Sequence, residues 1–490
     1  MSRIDFIEGQ PLNSTEDLRL IAGALSHEYL MLHIGSSSLD MGMLAVERML
    51  AVADDTGADM LYADHWKLVE GPDGRYIRKK HPLIECQKGA LRDDFDFGSV
   101  LLLRSDAFRQ AVAAMDVDYR WSALYDLRLR MSRIVHLNEY LYTEMEVDNR
   151  KSGEKLFDYV DPRNREVQME REMVCTAYLK RIGAWLPPVW KEISPLALLG
   201  RTDTEAVLGR TDRPEGLCRT DRSEESGLQS TEELPEVRKN DGSVTASVII
   251  PVFNRVRTVR DAVESALSQQ CDFSFNVIVV DNHSTDGTTE LLASMAAADS
   301  RLLHLIPGRD DLGIGGCWNL AVHHEACGEY AVQLDSDDVY SGPETLAKIV
   351  AAFGEQKCAM VIGTYQMTDF NMKPIPPGVI DHKEWTEENG RNNALRVNGL
   401  GAPRAFRVPL LRTLNLPNTS YGEDYALGLR ISREYRIGRI YDVLYFCRRW
   451  EGNSDAALEV EKVNANNLYK DRIRTWELEA RIRMNLGDEE

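Results

Sequence analysis

The chain has 490 residues, enough for two or three domains, and 43% of them are hydrophobic, enough for true cores. Fifty-eight Lys and Arg against 78 Asp and Glu give a net charge of −20, which argues against a general nucleic-acid binder but leaves room for a local basic pocket. Eight scattered cysteines without a CxxC pair, no long apolar run and no apolar signal core at Met1–Glu8 point to a reducing cytoplasm, and against a disulfide framework, a zinc site, a membrane-crossing helix or secretion.

Residues 1–150 read as mixed α/β. Glu28–Ile34, Asp59–Ala63 and Val100–Leu103 are strand candidates, and Gly71-Pro72-Asp73-Gly74 is a turn. Met41–Asp54 carries Met43, Val46, Met49, Leu50 and Ala53 at helical spacing, and Ser122–Ser132 reads as helical. Residues 151–193 read as a helical connector broken at Pro187-Pro188. Between 194 and 242 aromatic residues vanish and a short unit recurs at Gly200–Asp203, Gly209–Asp212 and Cys218–Asp221. Its nine-residue period is too short and too polar for a solenoid, so the stretch reads as a flexible linker.

From Ser243 strands and helices alternate, which predicts crossovers and a mainly parallel sheet over 243–455. The strands are Ser247–Val252, Asn276–Val280, Arg301–Ile306, Tyr330–Leu334 and Ala359–Gly363. The helices are Thr258–Gln269, Thr288–Ala297, one within Leu312–Cys327, and Tyr421–Tyr435; a charged helical segment fills 456–490.

Three turns close strand ends or open a helix: Pro251-Val252-Phe253-Asn254-Arg255, Asp281–Gly287, and Gly313–Asn319. In a parallel sheet such ends share one edge, where ligands bind. Asp281 suits hydrogen bonds from a base or ribose, and the glycines suit close approach of a ligand to the backbone. The apolar run Tyr330–Leu334 then ends in Asp335-Ser336-Asp337-Asp338. Carboxylates crowded together repel unless a cation sits among them, and hard oxygen ligands suit Mg²⁺ or Mn²⁺. Read alone, that cluster is equally an acidic turn, and Glu423-Asp424 an acidic helix start.

In order and spacing, Ser247–Arg255, Val279–Thr288, Leu334–Asp338 and Gly422-Glu423-Asp424 resemble the family-2 glycosyltransferases, over about 244–455. The family typically has an acidic residue where this chain has Asn282, and glycine where it has His283. The resemblance implies a GT-A-like α/β fold and an inverting, metal-dependent transfer of sugar from a UDP- or GDP-type nucleotide-sugar donor. The acceptor would be a hydroxyl of a glycan, lipid-linked or protein substrate, in surface glycan or glycoconjugate synthesis. It implies that Asp281 contacts the base and Asp335 the ribose, that Asp337 with Asp338 coordinates Mn²⁺ or Mg²⁺, and that Asp424 is the general base with Glu423 in support. Pro251, Phe253, Asn254, Arg255, Asn282, Gly313, Asn319 and Ser336 would complete the nucleotide site. Arg448-Arg449-Trp450 offers guanidinium clamps for a diphosphate and an indole to stack on sugar or base. The expected setting is the cytoplasm, extending to the inner face of the membrane, with a homo-oligomer left open. The rival readings are a non-catalytic nucleotide-sugar or glycan scaffold and a nucleotidyltransferase.

The N-terminal region repeats part of this pattern. Glu28–Leu32 echoes Glu329–Gln333, a register that puts Ile34 and Ser36 where Asp335 and Asp337 stand. Ser122-Ala123 falls near the place of Glu423-Asp424. With no counterpart of the Pro251 or Asp281 turns expected before Glu28, the region reads as a truncated, inactive copy. Asp93-Asp94-Phe95-Asp96 reads as a solvated acidic loop.

Overall fold

The structure, a computed structural model, describes residues 3–8, 12–35, 38–71, 73–145, 164–193, 244–453 and 458–487. The expected linker at 194–242 lies outside the described residues, as do 151–163 of the connector.

The first unit runs β1 (Ile4–Glu8), α1 (Thr15–Ala24), β2 (Tyr29–His33), β3 (Leu39–Met41), α2 (Ala45–Thr56), β4 (Met60–Glu70), β5 (Tyr76–His81), β6 (Val100–Arg104), α3 (Ser105–Ala113), α4 (Ala123–Leu129), β7 (Ile134–Met145) and α5 (Arg165–Arg181). The second begins with β8 (Ala246–Val252), α6 (Val259–Leu267), β9 (Phe275–Asp281), α7 (Thr288–Ala298), β10 (Leu302–Leu305), α8 (Ile314–His323), β11 (Tyr330–Gln333) and β12 (Val339–Tyr340). It continues with α9 (Thr345–Glu355), β13 (Met360–Asp369), β14 (Pro374–Ile380), α10 (Gly390–Asn393), β15 (Arg404–Arg407), α11 (Val408–Leu414), α12 (Glu423–Glu434), β16 (Ile437–Arg449) and α13 (Val460–Leu486). The apolar stripe read from the sequence holds: Val259, Ala262, Val263 and Ala266 of α6 are all buried.

The second sheet has the order β10-β9-β8-β11-β15-β13-β16-β12, with β14 on β13. Its first four strands are parallel, as the alternation predicts, while β15 runs antiparallel to both β11 and β13 and makes the whole sheet mixed. The first sheet has the order β1-β2-β6-β4-β7-β3, with β5 on β4. That is the order β8-β11-β15-β13-β16-β12 with β14 on β13, strand for strand. The directions match too: β1–β2 and β8–β11 are parallel, and β2–β6 and β11–β15 antiparallel with Tyr29 on Arg104 as Tyr330 is on Arg407. The parallel pairs β4–β7 and β13–β16 even share their irregularity just before His65 and Tyr365. A strand does precede Glu28 in the copy: β1 is the counterpart of β8. Among the described residues β9 and β10 have no counterpart, so none of the Asp281 turn is found, and residues 9–11, where a turn like that at Pro251 would follow β1, lie outside the described residues.

The two units exchange grips. The loop after β14 holds α5 of the first unit: Asn389 donates to Glu172 and Thr176 at 2.7 and 2.9 Å, and Arg396 donates to Gln168 at 2.6 Å. The loop after β5 holds α13 of the second: Asn464 donates to the Pro82 carbonyl at 2.6 Å, the Gly89 amide donates to Thr475 Oγ1 at 2.9 Å, and Arg92 lies 3.5 Å from Asp471. Arg396, fully buried, also meets Asp93 at 2.8 Å. The loop expected to be solvated is thus part of the seam. One apolar core runs through it, joining Phe95, Leu127 and Leu179 to Leu395, Tyr425 and Ile473.

Candidate active site

A cleft of about 290 Å³ opens at the C-terminal edge of β8 and β11. Pro251, Arg255, Asp335, Asp337, Arg404, Glu423, Asp424, Arg449 and Asn453 are among its walls. They arrive on several separate segments of the chain. Pro251 and Arg255 come with the end of β8, and the carboxylates with the turn after β11. Arg404 opens β15, where alternation puts it on the same face as Phe406, also in the wall. Glu423 and Asp424 form the first turn of α12, where the helix dipole favours carboxylates.

Asp337 faces the cleft and is held at one oxygen. Its Oδ2 accepts from the Trp450 indole at 3.2 Å and from Asn453 at 3.1 Å, and lies 3.8 Å from Arg255. Asp335 Oδ1 accepts from Gln333 at 2.9 Å, and its amide donates to the Tyr445 hydroxyl at 3.1 Å. Burial raises the Asp335 carboxyl above the usual range. Asp338, expected beside Asp337 as a second metal ligand, is placed differently. It is 4% exposed and its Oδ1 accepts the Arg448 amide at 2.7 Å. Burial, then the charges of Asp337 and Asp335, push its carboxyl well up. It braces the turn.

Asp424 is ion-paired with Arg404, and its Oδ1 accepts the Tyr425 amide at 2.7 Å. Burial alone would raise its carboxyl, but Arg404 and Lys470 outweigh it and hold the group below the usual range. Burial, then Asp424 itself, pushes Glu423 up to about 8, and its Oε2 is buried without a hydrogen-bond partner. Two adjacent carboxyls are thus split into an anionic Asp424 and a neutral Glu423 at pH 7, the pattern of groups given different proton roles.

The remaining sequence candidates divide. Ser336 lines the cleft with Asp335. Asp281 is fully buried; its oxygens accept from the Ser284 amide at 3.0 Å and the Thr289 hydroxyl at 2.5 Å, so it builds its turn and is not in the cleft wall. Asn282 donates to the Leu312 carbonyl at 2.8 Å, and Asn254 Oδ1 accepts the Thr285 amide at 2.8 Å, so both tie turns together. Phe253 is exposed beside them. His283 sits at φ +63°, a left-handed position that explains why glycine suits the place. The glycines at the start of α8 admit protein: a Cβ at Gly315, in its first turn, would collide with the Pro417 carbonyl, and one at Gly313, just before it, with Thr419. The Gly313 amide donates to Asn418 at 2.7 Å, and Asn319 clamps both backbone groups of Leu416, itself in the wall.

Arg448 is 3% exposed and spans the Asp337 carbonyl and Asp261 Oδ2, so it holds the loop instead of clamping a ligand. Trp450 serves Asp337 through its N–H and packs on Phe370 at 5.8 Å. Arg449 does reach the cleft. Sequence reading missed Arg404, Gln333, Asn453 and Lys470. The alternation of Arg404 and Phe406 was a usable signal, whereas the others depend on distant segments.

Residues 247–412 match the family described as Glycosyl transferase family 2. Among relatives, a putative glycosyltransferase, EpsE, of Bacillus subtilis (strain 168) is 34% identical over 118 residues, covering 24% of this chain and 41% of that protein. A putative teichuronic acid biosynthesis glycosyltransferase, TuaG, of the same organism is 28% identical over 149 residues, covering 30% and 58%. The chain thus spans about half the length of these relatives. Among solved structures, S. aureus TarS 1–349 in complex with UDP-GlcNAc is similar with TM-score 0.37 and 23% identity, covering 48% of this chain and 72% of that one. The mannosyltransferase PcManGT of Pyrobaculum calidifontis, in complex with GDP-Man and Mn²⁺, gives TM-score 0.34 and 18% identity, covering 49% and 78%. Among the described residues no helix is long and apolar enough to cross a membrane.

Proposed function

We propose that the chain is an inverting, divalent-metal-dependent glycosyltransferase that moves a sugar from a UDP- or GDP-type donor to an acceptor hydroxyl. The observation that carries this reading is one cleft lined both by Asp337 at a strand end and by an anionic Asp424 at a helix start.

The donor set is tested by its chemistry. Among the described residues no three His, Cys, Asp or Glu side chains gather as a metal-holding group. A protein-only cage is not required, because Mg²⁺ usually takes one or two carboxylates and completes its shell with substrate phosphates and water. Asp337 with Asp335 fits that demand, and Asp338 is left out. When bound, the cation would neutralise the departing nucleoside diphosphate. Arg255 and Arg449 in the wall supply further positive charge for the same leaving group. Asp424 accepts the proton of the acceptor hydroxyl as it attacks the anomeric carbon from the face opposite the leaving group. A carboxylate of low pKa serves, since proton transfer can follow bond formation. Arg404 keeps Asp424 ionised until then, and neutral Glu423 is able to donate a hydrogen bond to the acceptor.

The relative described in teichuronic acid biosynthesis supports a surface-glycan acceptor. The first unit has lost the site while keeping the frame: by register Ile34 stands for Asp335, Leu101 for Arg404, and Ala123 and Leu124 for Glu423 and Asp424. We read it as a degenerate glycosyltransferase-like unit. The test is a panel of UDP, GDP, CDP and dTDP sugars with Mn²⁺ or Mg²⁺, reading the released products. Nucleoside diphosphate is expected. Pyrophosphate would indicate nucleotidyl transfer, and binding without release a scaffold.

A further inference from the structure

The helix α13 lies outside the family-matched segment, yet it reaches the reacting groups. Lys470 is 7% exposed; its Nζ donates to the Asn398 carbonyl at 2.6 Å and lies over the Tyr421 ring at 4.4 Å. A Cβ on Gly422, the residue before Glu423, would lie 3.5 Å from the Lys470 chain. One turn on, the fully buried Arg474 donates to the Tyr425 hydroxyl at 2.9 Å, Asp471 at 2.8 Å and Asn398 Oδ1 at 2.8 Å. The first turn of α12 therefore rests on α13 from Tyr421 to Tyr425. What fixes α13 in turn is the first unit. The loop 82–94 holds it through Pro82, Gln87, Gly89 and Arg92, and the backbones approach so closely that a Cβ on Gly89 would collide with the Asp471 carbonyl and the Thr475 amide.

We propose that the N-terminal unit completes the active site of the C-terminal one: it seats α13, and α13 seats Lys470 against the first turn of α12, making Lys470 the positioning residue of the Glu423–Asp424 pair. This deepens the glycosyltransferase reading and rests on it for its kinetic arm. The groups that face the pair are Arg404 from β15, Asp335 from the turn after β11, and Lys470 and Tyr469 from α13, with Tyr421, Tyr425 and Arg474 around them. Arg404 is ion-paired with Asp424, and the buried Lys470 adds a second positive influence on it. Without Lys470 packed against Gly422 and Tyr421, the turn that carries Asp424 loses that support, and misplacing a catalytic group by about 1 Å can cost about 100-fold in rate.

The test uses the full chain. Lys470→Met should lower kcat at least tenfold with the donor KM unchanged and move the acid limb of the kcat profile to higher pH. Lys470→Arg should recover most of both. Gly89→Val, placed in the other unit, should lower kcat in the same way. It should also raise amide hydrogen exchange across Tyr421–Tyr425, a readout that needs no turnover. A wild-type kcat and acid limb in Lys470→Met, or a loss matched by the folded fraction from circular dichroism, overturns the proposal, as does unchanged exchange in Gly89→Val. Wild type that releases no nucleoside diphosphate from any donor removes the glycosyltransferase reading instead, and the exchange arm still decides the seating.

Discussion

Glu423→Gln should stabilise the protein, increasingly so as pH rises. Glu423 is 9% exposed with an unpartnered oxygen, and burial beside Asp424 raises its carboxyl from 4.5 to about 8. In the unfolded chain the group ionises near its ordinary value, so between those two pH values the folded state holds a proton the unfolded state has lost. Stability therefore falls as pH rises through this window and levels off above it. The full span, 8 minus 4.5, at about 1.4 kcal/mol per unit gives about 5 kcal/mol at most, and about 3 kcal/mol of it is reached at pH 7. Glutamine keeps the shape and the donor but cannot ionise. Urea unfolding of wild type and Glu423→Gln at pH 5, 7 and 8.5 measures the difference. The variant's advantage should grow by about 3–5 kcal/mol from the lowest to the highest pH. Parallel pH curves for the two proteins would refute the assignment of a neutral Glu423.

Asp424→Asn should retain donor binding by calorimetry and lose kcat by about 10²–10⁴-fold, the usual weight of a general base. Asp337→Ala should raise the Mn²⁺ concentration needed for half-maximal turnover, whereas Asp338→Ala should leave it unchanged and instead cost about 1–3 kcal/mol of stability, by stranding the Arg448 amide. Arg404→Met should shift the acid limb of activity to higher pH, because Asp424 loses the larger of its two neighbouring positive influences. Gly315→Ala should fail to fold at growth temperature or lose the cleft, read by thermal melting, because its Cβ would overlap the Pro417 carbonyl.

Chain-local features were legible because they are written at short range. The Asp335–Asp338 cluster had to emerge where an apolar strand ends, and Glu423-Asp424 had to start a helix, since each is fixed by its immediate neighbours. The echo of Glu329–Gln333 in Glu28–Leu32 was enough to suggest a second copy, though not its extent. β1 was too short and half-exposed to stand out, and its identity comes from lying beside β2 as β8 lies beside β11.

What only the tertiary structure decided is which way each polar group faces and what comes to meet it. Asp337 and Asp338 are adjacent in sequence, yet one opens to the cleft and the other is drawn to the Arg448 amide, because β16 passes behind the turn. Asp281 has the right neighbours for a nucleotide contact but is consumed by Ser284 and Thr289. Arg404 and Lys470 stand 20 and 46 positions from Asp424 and act on its charge only through a β-strand and a helix that packing brings home. Amino-acid order fixes the period of burial along each segment; the direction of a buried charge depends on partners drawn from elsewhere in the chain, and no local pattern encodes them.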